Sequence, residues 1–112
     1  QSGSHWVSIY LDIVNKKIYY FDSAGSKIPK ELIKLVENII AQGKRQSSNF
    51  IIEFDEIHPH EHQKKNTECG MYSLFFLINM LTEKKKWDFF KKGLITDDEM
   101  QTYREKYFNK VF

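Results

Sequence analysis

Cys69-Gly70-Met71-Tyr72-Ser73-Leu74-Phe75-Phe76-Leu77-Ile78-Asn79-Met80-Leu81 is the most apolar stretch of this chain. Wound as a helix, it is apolar on nearly every side, which predicts a central helix covered on several faces. The segment before it, His58 to Glu68, is polar, contains Pro59 and reads as a loop. Cys69 therefore stands where a polar loop meets a buried helix.

Working outward, Trp87, Phe89 and Phe90 predict a short helical segment that ends near Gly93. Thr96-Asp97-Asp98-Glu99 is a capping-box pattern, and it opens a final helix expected to bury Met100, Tyr103, Tyr107, Phe108 and Val111. Toward the N-terminus, His5 to Leu11 alternates with period two and predicts a strand. Asp12 to Lys16 carries turn residues, and Lys17 to Phe21 reads as the second strand of a hairpin. Pro29 suits a first helical turn, after which Leu32, Leu35, Val36, Ile39 and Ile40 recur at helical spacing up to a stop at Gly43. Phe50 to Phe54 is expected to be a third, largely buried strand. The order β-β-α-β-α-α is an α+β layout.

At 112 residues, 41% apolar, the chain can build one core and no second domain, and it is too apolar to be a disordered tail. No run reaches the roughly 18 to 20 apolar residues of a membrane helix. A formal net charge of +2 is too balanced to point to nucleic acid or membrane. Cys69 is the one cysteine, which excludes an internal disulfide and favours a reducing compartment. The first residues, Gln1 to Ser4, carry no secretory signal.

A cysteine at a helix N-terminus meets backbone N–H groups and the positive end of the helix dipole, a setting that suits an anionic nucleophile. Gly70 beside it leaves room for a substrate backbone. The alternative for a lone cysteine is a small buried hydrophobe. A thiol nucleophile needs a base, and the base needs a group that orients it. His5 opens the first strand and Asp22 ends the second, 17 positions later, so hairpin pairing brings them to one sheet edge. Singly, His5 also reads as a terminal residue and Asp22 as a turn residue. Gln63, six positions before Cys69, could donate its amide to an oxyanion, or could simply face solvent.

The order His5, Trp6, Asp22, Gln63, Cys69, Gly70 resembles the ubiquitin-like-protein-specific cysteine proteases, a superfamily that includes the adenovirus maturation protease and proteases of large DNA viruses. The resemblance rests on His5-Trp6-Val7-Ser8-Ile9, on Tyr20-Phe21-Asp22-Ser23, and on Gln63 with Asn66-Thr67-Glu68-Cys69-Gly70-Met71-Tyr72. Ile95 to Met100 also looks like the segment that closes the viral domains. The resemblance implies a papain-like, adenain-like α+β fold, a small sheet packed on a central buried helix that carries the nucleophile. It implies Cys69 as nucleophile, His5 as general base and acid, Asp22 as its orienter and Gln63 as oxyanion donor. Trp6 and Gly70 would contact substrate, with Trp6 walling a channel for a glycine-containing tail.

The implied activity is that of a thiol protease without metal or cofactor, acting on a viral polyprotein. The alternatives are a SUMO-like or other ubiquitin-like deconjugating enzyme and, in another class, an inactive binding or structural module. A viral protein would work in host cytoplasm or virion, a cellular one in cytoplasm or nucleus. With few residues before His5, residues 1–112 are expected to be the C-terminal catalytic portion of a longer domain, weakly active alone and prone to associate with its upstream part or another copy.

Two further signals carry less weight. His58, His60 and His62 alternate and could hold Zn²⁺ or Cu²⁺, but a solvated loop is the favoured reading. Lys64-Lys65, Lys84-Lys85-Lys86 and Lys91-Lys92 could meet nucleic acid. Solvated lysines offset by acidic residues explain them better.

Overall fold

In the computed structural model, residues 5–64 and 68–108 are described. The elements are β1 (Ser8–Asp12), β2 (Lys17–Phe21), α1 (Lys30–Gln46), β3 (Glu53–Glu56), α2 (Cys69–Leu81), α3 (Trp87–Lys92) and α4 (Asp97–Phe108). Lys65, Asn66, Thr67 and Val111, all used in the sequence reading, lie outside the described residues.

The three strands form one sheet in the order β1-β2-β3. β1 and β2 are an antiparallel hairpin whose ladder runs from Asp12 opposite Lys17 to Ser8 opposite Phe21. Asp12 shapes the turn by accepting the Asn15 backbone N–H at 3.0 Å and its side-chain amide at 2.8 Å. The Asn15 bonds favour the ionised Asp12 carboxyl and lower its pKa. β3 joins β2 in parallel, with Lys17 opposite Glu53 and Tyr20 opposite Glu56.

Period-two alternation divides the sheet residues between two apolar layers. Tyr10, Tyr19 and Phe21 face α2, where Phe21 stacks on Phe76 at 4.8 Å and Tyr19 stacks on Trp87 at 4.3 Å. Ile9, Ile18 and Tyr20 face the other way and pack with Ile28, Val36 and Ile52 against α1. Tyr72, Phe75, Phe76 and Phe90 are each at most 2% exposed, and each such ring contributes roughly 1.5–3 kcal/mol by burial. The central helix is thus anchored by its aromatic face, while Leu81 at its end is 68% exposed and uncovered by the described residues.

Several boundaries depart from the sequence reading. The first strand begins at Ser8 rather than His5, because β2 ends opposite it at Phe21 and His5 to Val7 run past the ladder. The third strand is Glu53–Glu56, three residues later than expected. Phe50 and Ile52 instead cover α1, and pairing starts where the Glu53 N–H reaches the Lys16 carbonyl at 3.0 Å. Gly43 does not stop α1, which runs on to Gln46. A methyl at Gly43 would lie 2.9 Å from Cδ2 of Phe50, so the missing side chain admits the returning chain. Pro29 is the residue before the helix, one position earlier than expected. α2, the α3 segment and the capping box stand as read. Thr96 Oγ accepts the Glu99 N–H and Glu99 Oε1 accepts the Thr96 N–H, each at 3.1 Å. Of the residues expected to bury α4, Met100 is fully buried, Tyr103 and Tyr107 are half-buried, and Phe108 is 45% exposed.

Candidate active site

The end of β2 and the start of α2 meet at one sheet edge. Asp22 follows Phe21 directly and turns the chain: its carbonyl accepts the Gly25 N–H at 2.8 Å, and its Oδ1 accepts the Ala24 N–H at 2.9 Å. The same oxygen meets Nε2 of His5 at 2.8 Å. The Asp22 side chain is 4% exposed and that of His5 31%, so the carboxylate is sealed and the ring stays accessible. One residue on, the Trp6 N–H points at Sγ of Cys69, 3.5 Å away. The three residues beyond the β1–β2 ladder thus carry His5 and Trp6 to the first turn of α2.

Cys69 is buried at the first position of α2. Trp6 is 62% exposed, with its indole alongside Gly70. A methyl on Gly70 would stand 3.5 Å from Cδ1 of Trp6, an ordinary contact, so packing among the described residues does not demand glycine there. Its effect is to leave one side of the indole uncovered.

Gln63 is buried at 2% exposure, against the solvent-facing reading of a loop glutamine. Its N–H donates to the Ser23 carbonyl at 2.8 Å, and its Oε1 accepts the Ser23 hydroxyl at 2.5 Å. The residues before it are pinned as firmly. His58 Nδ1 meets the Gly25 carbonyl at 2.8 Å, and His60 Nε2 meets the Gly93 carbonyl at 2.5 Å. His62 accepts the Ile95 N–H on Nδ1 at 3.1 Å, which leaves Nε2–H to donate to the Phe90 carbonyl at 2.7 Å. Only the neutral ring satisfies both bonds. Burial lowers the His62 pKa and His60 adds to the effect, against the opposing pull of the Phe90 carbonyl.

This corrects the picture of a free histidine loop: all three side chains bond backbone groups, and for buried His62 burial demands it. Among the described residues no cluster of three or more His, Cys, Asp or Glu side chains could hold a metal ion. The loop continues to Lys64, whose N–H donates to Asp97 Oδ2 at 3.1 Å, while Asp97 Oδ1 accepts the Tyr72 hydroxyl at 3.0 Å. Burial first, then this bond to Asp97, hold the Tyr72 hydroxyl protonated far above its ordinary range. Arg104 on α4 pairs with Glu68 at 2.9 Å, tying α4 to the residue before Cys69.

A groove of about 660 Å³ lies elsewhere, lined by Tyr10, Asp12, Tyr19, Asp55, Met80 and Trp87 among others. Its lining holds no cysteine, and within it Lys17 pairs with Glu53.

Sequence reasoning quoted Ser23 as the end of the Tyr20 to Ser23 motif without giving it a role, and passed over the buried roles of His62, Tyr72 and Asp97. A serine directly after Asp22 was the one legible hint. The other three act through partners 25 to 33 positions away, which no local pattern announces.

A histidine just ahead of β1, bonded to a buried acid and close to a cysteine that opens a buried helix, is an arrangement suited to a papain-like thiol peptidase. The Ulp1 protease family, C-terminal catalytic domain, matches residues 1–112, and the chain belongs to this cysteine peptidase family. It is 35% identical over 108 residues to a protein of Acanthamoeba polyphaga mimivirus named as a thiol protease, covering 96% of this chain and 35% of that protein. It is 32% identical over 109 residues to the SUMO-1 cysteine protease of a Kenyan isolate of African swine fever virus, covering 96% of this chain and 39% of the relative. The crystal structure of an African swine fever virus protease superposes with a TM-score of 0.81 at 32% identity, over 93% of this chain and 38% of that one. The chain thus spans little more than a third of the relatives it matches. Among the described residues no helix is long and apolar enough to cross a membrane.

Proposed function

We propose that this chain carries the catalytic machinery of a viral thiol protease that hydrolyses peptide or isopeptide bonds after glycine-containing sites, with polyprotein maturation as its task. The observation that carries the reading is the His5–Asp22 bond of 2.8 Å beside the contact from Trp6 N–H to Cys69 Sγ. Nε2 of His5 is engaged by Asp22, so Nδ1 is the nitrogen that serves as base.

In this reading Nδ1 takes the Cys69 proton and the sulfur attacks the scissile carbonyl. The Gln63 amide and the Cys69 N–H receive the negative charge on the carbonyl oxygen. Collapse of the tetrahedral adduct breaks the C–N bond, and the imidazolium gives its proton to the departing amine, leaving a thioester. Water, deprotonated by His5, attacks the thioester, releases the carboxylic acid product and returns the thiol. Asp22 keeps the ring in place and offsets its charge in the protonated stage. Trp6, open to solvent and flanked by Gly70, walls the approach for a narrow glycine tail. A thiol nucleophile calls for a reducing compartment, in keeping with host cytoplasm or virion interior.

A second reading, deconjugation of a ubiquitin-like modifier, is favoured by the name of the African swine fever virus relative, a SUMO-1 cysteine protease. Ubiquitin, SUMO and Gly-Gly-X peptide probes bearing C-terminal electrophiles separate the two in the natural full-length protein. Labelling of Cys69 by the peptide probe alone supports polyprotein cleavage, and labelling by a modifier probe supports deconjugation. No labelling of Cys69 by any probe rejects both.

A further inference from the structure

Ser23 has no exposed surface, and the mechanism above gives it no task. Its hydroxyl donates to Oε1 of Gln63 at 2.5 Å. Its carbonyl accepts two successive N–H groups, from His62 at 2.9 Å and Gln63 at 2.8 Å. Ser23 also follows Asp22 directly, so one short segment at the end of β2 touches both the acid that holds His5 and the side chain assigned to the oxyanion. Resting on that assignment of Gln63, we propose that Ser23 is a positioning residue that fixes which end of the Gln63 carboxamide faces the reaction.

The argument is one of shape and donor type. The oxygen and nitrogen ends of a carboxamide are nearly the same size, so a half-turn of the group swaps acceptor for donor at little steric cost. For an oxyanion donor that swap is ruinous, because it aims a lone pair at the developing negative charge. A hydroxyl hydrogen bonded to Oε1 removes the ambiguity, since the NH₂ end must then lie on the branch away from Ser23. The Ser23 hydroxyl is bonded to Oε1, the oxygen end of the carboxamide. Pinning both backbone N–H groups to the Ser23 carbonyl holds the Gln63 backbone while the hydroxyl holds its side chain. Base and oxyanion donor are thereby registered to the same rigid strand end, anchored by fully buried Phe21.

The test uses the natural full-length protein and an acyl-Gly-Gly aminomethylcoumarin peptide, with kcat and KM measured separately. Ser23→Ala retains the backbone carbonyl and loses only the hydroxyl. It is expected to lower kcat roughly 10-fold with KM nearly unchanged, less than the loss of the donor itself. Alkylation of Cys69 by iodoacetamide passes through no oxyanion, so its rate should stay at the wild-type value. A general loosening of the site would slow both. In the double variant, Ser23→Ala should add nothing to the loss caused by Gln63→Ala.

Equal kcat for Ser23→Ala and wild type, or losses that simply multiply in the double variant, would overturn the proposal. If Gln63→Ala itself leaves kcat intact, the assignment of Gln63 fails first, and the two failures are told apart by that single variant. Should Ser23→Ala not fold, Ser23→Cys keeps the size and supplies only a weak donor. A several-fold lower kcat is then expected on the same peptide, and an undiminished kcat would overturn the idea.

Discussion

Oδ1 of Asp22 serves two donors at once, Nε2 of His5 at 2.8 Å and the Ala24 backbone N–H at 2.9 Å. The second bond matters for substitution. A carboxamide at this position must present its oxygen to Ala24, and that orientation also presents oxygen to His5. Asp22→Asn should therefore keep the imidazole in its working tautomer and lose only the charge that steadies the imidazolium.

We expect Asp22→Asn to lower kcat by about 10-fold and Asp22→Ala by about 10²–10³-fold, since the alanine also releases the ring. Steady-state turnover of a Gly-Gly peptide in the full-length protein measures both. An Asn variant as poor as the Ala variant would show that charge, rather than orientation, is the contribution of Asp22.

Cys69→Ala removes the nucleophile and little volume. Turnover should fall by about 10⁴-fold or more, with the thermal midpoint within a few degrees of wild type. Residual activity of a tenth would exclude a cysteine mechanism.

Gln63→Ala should lower kcat roughly 10²-fold with little change in KM, the mark of a group that acts on the transition state. If the main effect is a raised KM, Gln63 binds the ground state and the oxyanion role is wrong.

His62 makes stability depend on pH. The folded chain holds it neutral, with a pKa lowered chiefly by burial, whereas the unfolded chain protonates it near the ordinary value of about 6.5. Between those two values the unfolded state binds more protons, so stability rises with pH there. The contribution is fully present above about pH 6.5 and is lost as pH falls toward the lowered folded value. Urea unfolding at pH 7.5 and 5.5 should show a larger acid loss for wild type than for His62→Gln. Equal losses would mean that His62 is not a source of the acid sensitivity.

The elements best read from sequence are those whose cause is local. Cys69–Leu81 forms a helix because its apolar residues have no other way to bury their backbone together, and Thr96 with Glu99 closes a helix end within four residues. The hairpin follows from the same kind of short-range pairing, and with it the meeting of His5 and Asp22. The likeness of ordered motifs to a protease family added roles that spacing alone left open.

Other features were settled by residues far apart in the chain. Apolar content placed the third strand at Phe50, yet the ladder partner offered by β2 starts it at Glu53, and Phe50 and Ile52 cover α1 instead. Gly43 has the composition of a helix stop, but its role depends on where Phe50 returns. Ser23, Gln63 and His62 carry no local sign of burial. Their side chains became buried and fully directed only when β2, the loop before α2 and the α3–α4 segment closed on one another. A hydrogen bond between residues 28 to 40 positions apart is chosen by competition among all the partners that compact packing brings near, and local sequence does not encode that competition.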